Sequence, residues 1–257
     1  MRQAKVIQGK QLSYNNYLDA DAAWRCISDL AELTQVAQKK VAACVIKHMV
    51  PCGACMANDS LRALETAWNN DETSSFGSII ALSQTVDETE ALWIKNKFVE
   101  VIVAPHFTDE AISVLSQKKN LRLIELPLKK QSGEKMIRSI SGGLLVQDED
   151  ELLDREWQSM TREFLPEKKI PLMKFGLIVT KYLKSNALCL VEERNSTLTI
   201  LSSGVGQPNR VRCLKSLIAD DVKDVGESRL KEAILISDAF FPDQSFYDNP
   251  NLAPTKV

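Results

Sequence analysis

At 257 residues the chain is long enough for one large α/β domain or two smaller units that share a core. Its 44% hydrophobic and 26% charged residues, with a net charge of −2, give no sign of nucleic acid or a membrane surface as partner. No apolar stretch approaches the length of a membrane span.

The start, MRQAKVIQGKQLSYNN, is polar and has no apolar h-region, so the reading is a cytoplasmic chain without a secretory signal. The six cysteines, Cys26, Cys44, Cys52, Cys55, Cys189 and Cys213, are then expected to stay as thiols. LDADAAWRCISDLAEL has apolar residues at helical spacing, with Asp19 available as a cap. VAACVIKH is an apolar run closed by charge and reads as a short buried strand. DSLRALETAWNND reads as a helix capped by Asp59 or Ser60. SSFGSIIALSQTV, VEVIVAP and LRLIELPL read as strands, separated by the helices ETEALWIKNKF and TDEAISVLSQKK. This alternation predicts helices covering a largely parallel sheet.

The Gly-Gly of SISGGLLVQ marks a turn or a close backbone approach. Beyond it, DELLDREWQSMTREFLPEKKIP reads as a charged helical connection to a second unit. LMKFGLIVTKYLKS is predicted as a helix. NALCLVEERNSTLTILSSG is predicted as a hairpin turning near Asn195-Ser196, and NRVRCLKSLIADDV as a helix. AILISDAFFP reads as a strand running into a loop, and DQSFYDNPNLAPTKV as a frayed tail.

KHMVPCGACM raises the question of function. P-C-x-x-C is half of a zinc deaminase signature, but the H-x-E or C-x-E that completes it occurs nowhere in the chain. Cys52 and Cys55 therefore read as small apolar residues at a packed helix start, and no metal is expected. Lys47 and His48 close an apolar strand just before a turn, the kind of strand end where α/β folds bind ligands. A histidine suits proton transfer and a lysine suits stabilising developing negative charge. A solvated strand end with no role is the other reading.

Eight segments occur in one family's order: QGKQLSYNNYLDADAAW, CVIKHMVPCG, SSFGSIIALS, FVEVIVAP, SGGLLVQDED, KYLKSNAL, GVGQPNRV and SDAFFP. Together they resemble the transformylase part of the AICAR transformylase/IMP cyclohydrolase family of purine biosynthesis, from about residue 7 to about residue 242. The resemblance implies two cytidine-deaminase-like three-layer α/β/α subdomains without the zinc chemistry. They would span 1–147 and 172–257, joined by a helical connection at 148–171, with the second incomplete. It implies transfer of a formyl group from 10-formyltetrahydrofolate to the amine of AICAR. In that reaction Lys47, His48 and Asn186 match the catalytic centre. Asn16, Phe76, Gly77, Glu100 and Arg210 match the nucleotide pocket, and Phe240 and Pro242 the folate side. It also implies a homodimer.

The sequence departs from the family in lacking an R-Y-G segment before QGK and the strand region after AFFP. A separate chain supplying those pieces, a catalytically impaired relative that keeps the fold and part of the pocket, and a zinc-dependent deaminase are the alternatives carried forward.

Overall fold

A computed structural model of the chain describes residues 4–128, 133–150, 159, 164–218 and 227–239. Residues 151–158 and 160–163 of the predicted connection at 148–171, and the whole of the predicted tail, fall outside the described residues.

The chain opens with β1 (Lys5–Gln8) and then α1 (Tyr14–Ala37). The cap of α1 is Ser13, not Asp19: Ser13 Oγ accepts from the Asn16 amide at 3.2 Å, and Asn16 Oδ1 accepts from the Ser13 amide at 3.1 Å. α1 runs on because nothing in it breaks a helix, and it buries Ala20, Ala23, Trp24, Ile27 and Leu30. β2 (Val41–Lys47) is buried on both faces. Ala42, Cys44 and Ile46 pack in the cluster that contains α1, while Val41, Ala43 and Val45 pack in the opposite one.

P-C-x-x-C lies in β3 (Val50–Ala57), a strand where the sequence suggested a helix start. The cause is the turn before it. Lys47 pairs with Val50, leaving His48 and Met49 as a two-residue hairpin turn with φ of 53° and 66°. That is the type I′ geometry, whose twist matches the flanking strands. α2 (Ser60–Asn69) returns across the sheet, capped by Asp59, which accepts from the Arg62 amide at 2.7 Å.

The rest of the first half follows the predicted order. A one-turn α3 (Glu72–Ser75) leads to β4 (Ser78–Leu82), α4 (Glu88–Lys95), β5 (Val99–Ala104), α5 (Asp109–Leu115) and β6 (Arg122–Glu125). An exposed hairpin, β7 (Lys135–Ile140) and β8 (Gly143–Asp148), forms a separate two-stranded sheet with Ser141 and Gly142 at its turn. Then come α6 (Ile170–Lys181), β9 (Leu188–Arg194), β10 (Thr197–Gly204), α7 (Arg210–Leu217), α8 (Glu227–Glu232) and β11 (Ile234–Ser237). The predicted Asn195–Ser196 turn joins β9 to β10 and again has positive φ at both central residues, 49° and 60°.

The fold is mixed α/β. Nine strands form one sheet in the order β1-β6-β5-β4-β2-β3-β10-β9-β11. The expectation of a largely parallel sheet does not hold: only β4–β5 and β5–β6 pair in parallel, and the remaining neighbours are antiparallel. Two short hairpin turns replaced the helical crossovers that parallel pairing requires. α1 and α6 lie in one core cluster, with α2, α4 and α5 in the other.

Two contacts fix the middle of the sheet. Asn70 accepts from the Ala54 amide of β3 at 3.1 Å and donates to Thr199 Oγ1 at 2.9 Å and the Ile200 carbonyl at 2.8 Å, both on β10. Gly53 lets α2 lie against β3: a Cβ there would stand 1.8 Å from the Ala67 carbonyl oxygen. Gly53→Ala is therefore expected to destabilise the protein by about 1–3 kcal/mol or more. Gly143→Ala, which meets nothing within 4 Å, is expected to be neutral. Chemical denaturation of both variants checks this.

Candidate functional site

Strand register decides which candidate residues share an end of the sheet. The β2–β3 turn lies beyond the C-terminal end of β2, and β4 and β2 are antiparallel, so the N-terminal ends of β4 and β5 lie at that same edge. Across β3–β10–β9–β11 the same edge carries the C-terminal end of β10, the N-terminal end of β9 and the C-terminal end of β11. Lys47, His48, Gly77, Glu100, Asn186 and Arg210 thus stand along one rim. This is not the carboxyl edge of the parallel strands, where α/β folds commonly bind ligands.

On this rim the first group centres on the turn. Lys47 Nζ donates to the carbonyls of Phe76 at 2.7 Å and Gly77 at 3.1 Å. An ammonium has three hydrogens, so one remains for a ligand. Gly77 has φ of 71°, and a Cβ on it would stand 3.3 Å from Lys47 Nζ. Glycine is therefore required both by the backbone and by the lysine's approach. Phe76 is 64% exposed and packs against Phe98 with ring centroids 4.8 Å apart. His48 is exposed on the turn, and among the described residues neither of its ring nitrogens has a hydrogen-bond partner.

Asp19, expected as a helix cap, instead holds the turn through its Oδ1, which accepts from the Met49 amide at 2.7 Å. Burial pushes the Asp19 carboxyl above its ordinary value, against the lowering pull of that amide and of His48 and Lys47. Buried Asn16 donates to Glu100 Oε2 at 2.9 Å. Arg122 stands 3.6 Å from the same carboxylate and also donates to the Lys10 and Gln11 carbonyls, both at 3.3 Å. Arg122 escaped the sequence reading; its one signal was a lone charge at the start of an apolar strand. Asp19 and Phe98 were missed as site residues because only the folded chain brings them to the turn.

The second group lies across the sheet. Asn186 Nδ2 donates to the Gln207 carbonyl at 2.8 Å, and the Asn186 carbonyl accepts from Cys213 Sγ at 3.1 Å. Arg210 Nη2 donates to Asp238 Oδ1 at 2.6 Å. Burial raises the Asp238 carboxyl, but bonds from Arg210 and Ser185 outweigh it and hold the group below its ordinary value. Phe240 and Pro242 lie outside the described residues.

Among the described residues no group of three or more His, Cys, Asp or Glu is placed to hold a metal ion. Cys52 is half-buried, Cys55 is buried, and both sit in β3. Burial pushes each thiol up to about 12. His106, the other histidine, stands 2.6 Å from Glu125 Oε1 beyond the far end of β5, away from the rim.

A chemical consequence follows for these cysteines. The folded state keeps both thiols neutral above the ordinary value of 9, while the unfolded chain ionises there. Their contribution to stability is therefore full below pH 9 and is lost as pH rises towards 12. Denaturation midpoints should fall over that range, and less steeply in a Cys52→Ala/Cys55→Ala variant. At neutral pH iodoacetamide should label neither thiol until the chain unfolds.

Comparison with known proteins gives a consistent result. The family model described as "AICARFT/IMPCHase bienzyme" matches residues 1–220. The chain is 38% identical over 244 residues to a bifunctional purine biosynthesis protein PurH of Limosilactobacillus reuteri, covering 93% of this chain and 44% of the relative. It is 38% identical over 242 residues to the PurH of Enterococcus faecalis, with the same coverage. For the PurH of Streptococcus pneumoniae the figures are 38% over 252 residues, 96% of this chain and 45% of the relative. The chain thus spans less than half the length of the curated relatives it matches.

Proposed function

The chain belongs to the AICARFT/IMPCHase bienzyme family, and from that premise we propose that it works as an AICAR formyltransferase, moving a formyl group from 10-formyltetrahydrofolate to the AICAR amine in purine biosynthesis. The observation that carries this reading is the pair Lys47–His48, presented on a pinned turn beside Gly77 and on the same rim as Asn186.

The AICAR amine is a weak nucleophile, so attack on the formyl carbon needs a base for the amine proton and a donor for the tetrahedral oxyanion. His48 takes the proton; its exposed ring is available at the turn. The third ammonium hydrogen of Lys47 stabilises the oxyanion, the other two being fixed by the Phe76 and Gly77 carbonyls. Asn186 orients the reacting groups. Phe76 stacks on the ring of the nucleotide, and Asn16, Glu100 and Arg210 contact its polar groups. Phe240 and Pro242 belong to the folate side. No metal takes part.

The reading includes two deaminase-like units, 1–147 and 172–257. What supports it is a recurrence of order: α1-β2-β3-α2-β4 in the first stretch and α6-β9-β10-α7-β11 in the second, with strand orders β3-β2-β4 and β10-β9-β11. It also includes a second chain, a homodimer partner or one that contributes further family segments. The β7–β8 hairpin supports that part. Ile137 is 63% exposed and Leu144 65%, with Met136, Ile140, Leu145 and Val146 also exposed. A lone two-stranded hairpin bearing apolar residues on both faces is only marginally stable in water.

The test is a turnover assay with AICAR and 10-formyltetrahydrofolate, paired with AICAR titration calorimetry. His48→Ala should cost about 10²–10⁴-fold in rate, with Lys47→Met similarly severe and AICAR affinity less affected. AICAR binding without turnover in the unaltered chain would indicate a relative that keeps the pocket only. Near-full activity in the His48 variant would refute the assignment of the base.

A further inference from the structure

The recurrence of α-β-β-α-β has a geometrical consequence. β3 and β10, the edge strands of the two stretches, pair antiparallel, so the stretches are related by an approximate two-fold axis through the sheet. α1 and α6 accordingly share one cluster. The rotation carries the rim just described onto the opposite rim. The β2–β3 turn, with Lys47 and His48, maps onto the β9–β10 turn, with Arg194 and Asn195. Both turns have positive φ at their two central residues. The start of α7, with Arg210 and Arg212, maps onto the start of α2, where Arg62 takes the place of Arg212; both helices are capped by a side chain that accepts from the third residue after it.

At that opposite rim there is a cleft of about 280 Å³. Arg62, Arg194 and Arg229 line it, together with Glu192, Asn69 and Thr197. Its floor is polar and buried: Glu192 is 5% exposed and Thr197 4%. Glu192 is engaged by the fork of Arg229, with Nε 3.1 Å from Oε2 and Nη2 on Oε1. That bidentate pair neutralises both charges. The guanidinium groups of Arg62 and Arg194 have no ion-pair partner among the described residues. Both side chains are exposed, so water screens their mutual repulsion, but an anion held between them would gain from each.

We propose that this cleft is a second binding site, for a compact phosphate dianion, either inorganic phosphate or a phosphate monoester. Two guanidinium groups without an ion-pair partner among the described residues suit a group that carries about 1.5 to 2 negative charges near neutral pH, and the planar forks suit its oxygens. The Asn69 amide at the cleft wall supplies a further donor. The volume of about 280 Å³ takes a phosphate with a small substituent. The site is separate from the formyl-transfer rim and does not depend on that reading.

The test is a titration of the full chain at constant ionic strength, followed by the backbone amide resonances of Thr66, Asn195 and Thr197. The probes are inorganic phosphate, ribose 5-phosphate and, as monoanion control, acetate. Saturable shifts at those amides with the first two probes, and much weaker ones with acetate, are expected. Tighter binding of ribose 5-phosphate would assign the site to the ester, and equal binding to the free ion. Arg62→Gln/Arg194→Gln should weaken phosphate binding at least about 100-fold, roughly tenfold or more for each charge-assisted contact. Both residues are exposed, so the variant should fold; Lys135→Gln/Arg138→Gln, on the separate hairpin, controls for the loss of two positive charges. No saturable shift at these amides in the unaltered chain, equal shifts with acetate, or unchanged affinity in the double variant would overturn the proposal.

Discussion

The antiparallel pairing of β3 with β10 joins strands that are far apart in sequence, and the arrangement of the candidate site follows from it. The register Leu198–Met56 and Thr199–Cys55 sets the β9 and β11 ends beside the β2–β3 turn. Without that joint, Asn186 and Arg210 would belong to a separate sheet. Asn70 spans the joint, satisfying the Ala54 amide on one strand and bonding to Thr199 and Ile200 on the other. A buried strand amide left without such an acceptor would cost about 1–3 kcal/mol.

The turn itself is held against its own preference. Type I′ turns favour Asn-Gly, and here His48 and Met49 occupy both left-handed positions. A side chain in that region costs roughly 1–2 kcal/mol per residue. The bond from the Met49 amide to Asp19, and the two bonds from Lys47 to the Phe76 and Gly77 carbonyls, oppose that cost from either side of the turn. Strain retained where two ionisable residues stand is a pattern typical of functional sites. In the β9–β10 turn the first left-handed position is taken by Asn195, a residue type that tolerates it.

Much of the fold was legible in the sequence, because long periodic segments such as those of α1, α4 and β5 state their own conformation. The Asn195–Ser196 turn was legible for a different reason, since Asn and Ser between two apolar runs are turn residues. β3 was not: Pro, Gly and Ala are depleted in strands, and pairing with β2 and β10 imposes that state. β1 went unread, and of the β7–β8 hairpin only the glycine turn was legible, because its apolar residues are spread over both faces. Lys47 and His48 could be singled out from the charged end of an apolar run. Their link to Asp19, at 2.7 Å from the Met49 amide, could not, since Asp19 looks like a helix cap until α1 is seen to start six residues earlier. Resemblance supplied Asn186 and Arg210, which carry no local signal of their own.

The central claim is that the His48 turn meets the nucleotide. The chain contains two histidines, one on the candidate rim and one beyond the far end of β5, so their imidazole C–H resonances form an internal comparison. On titration with AICAR, the account predicts that the His48 resonance shifts saturably while the His106 resonance stays in place. A shift at His106 with His48 unmoved would contradict it.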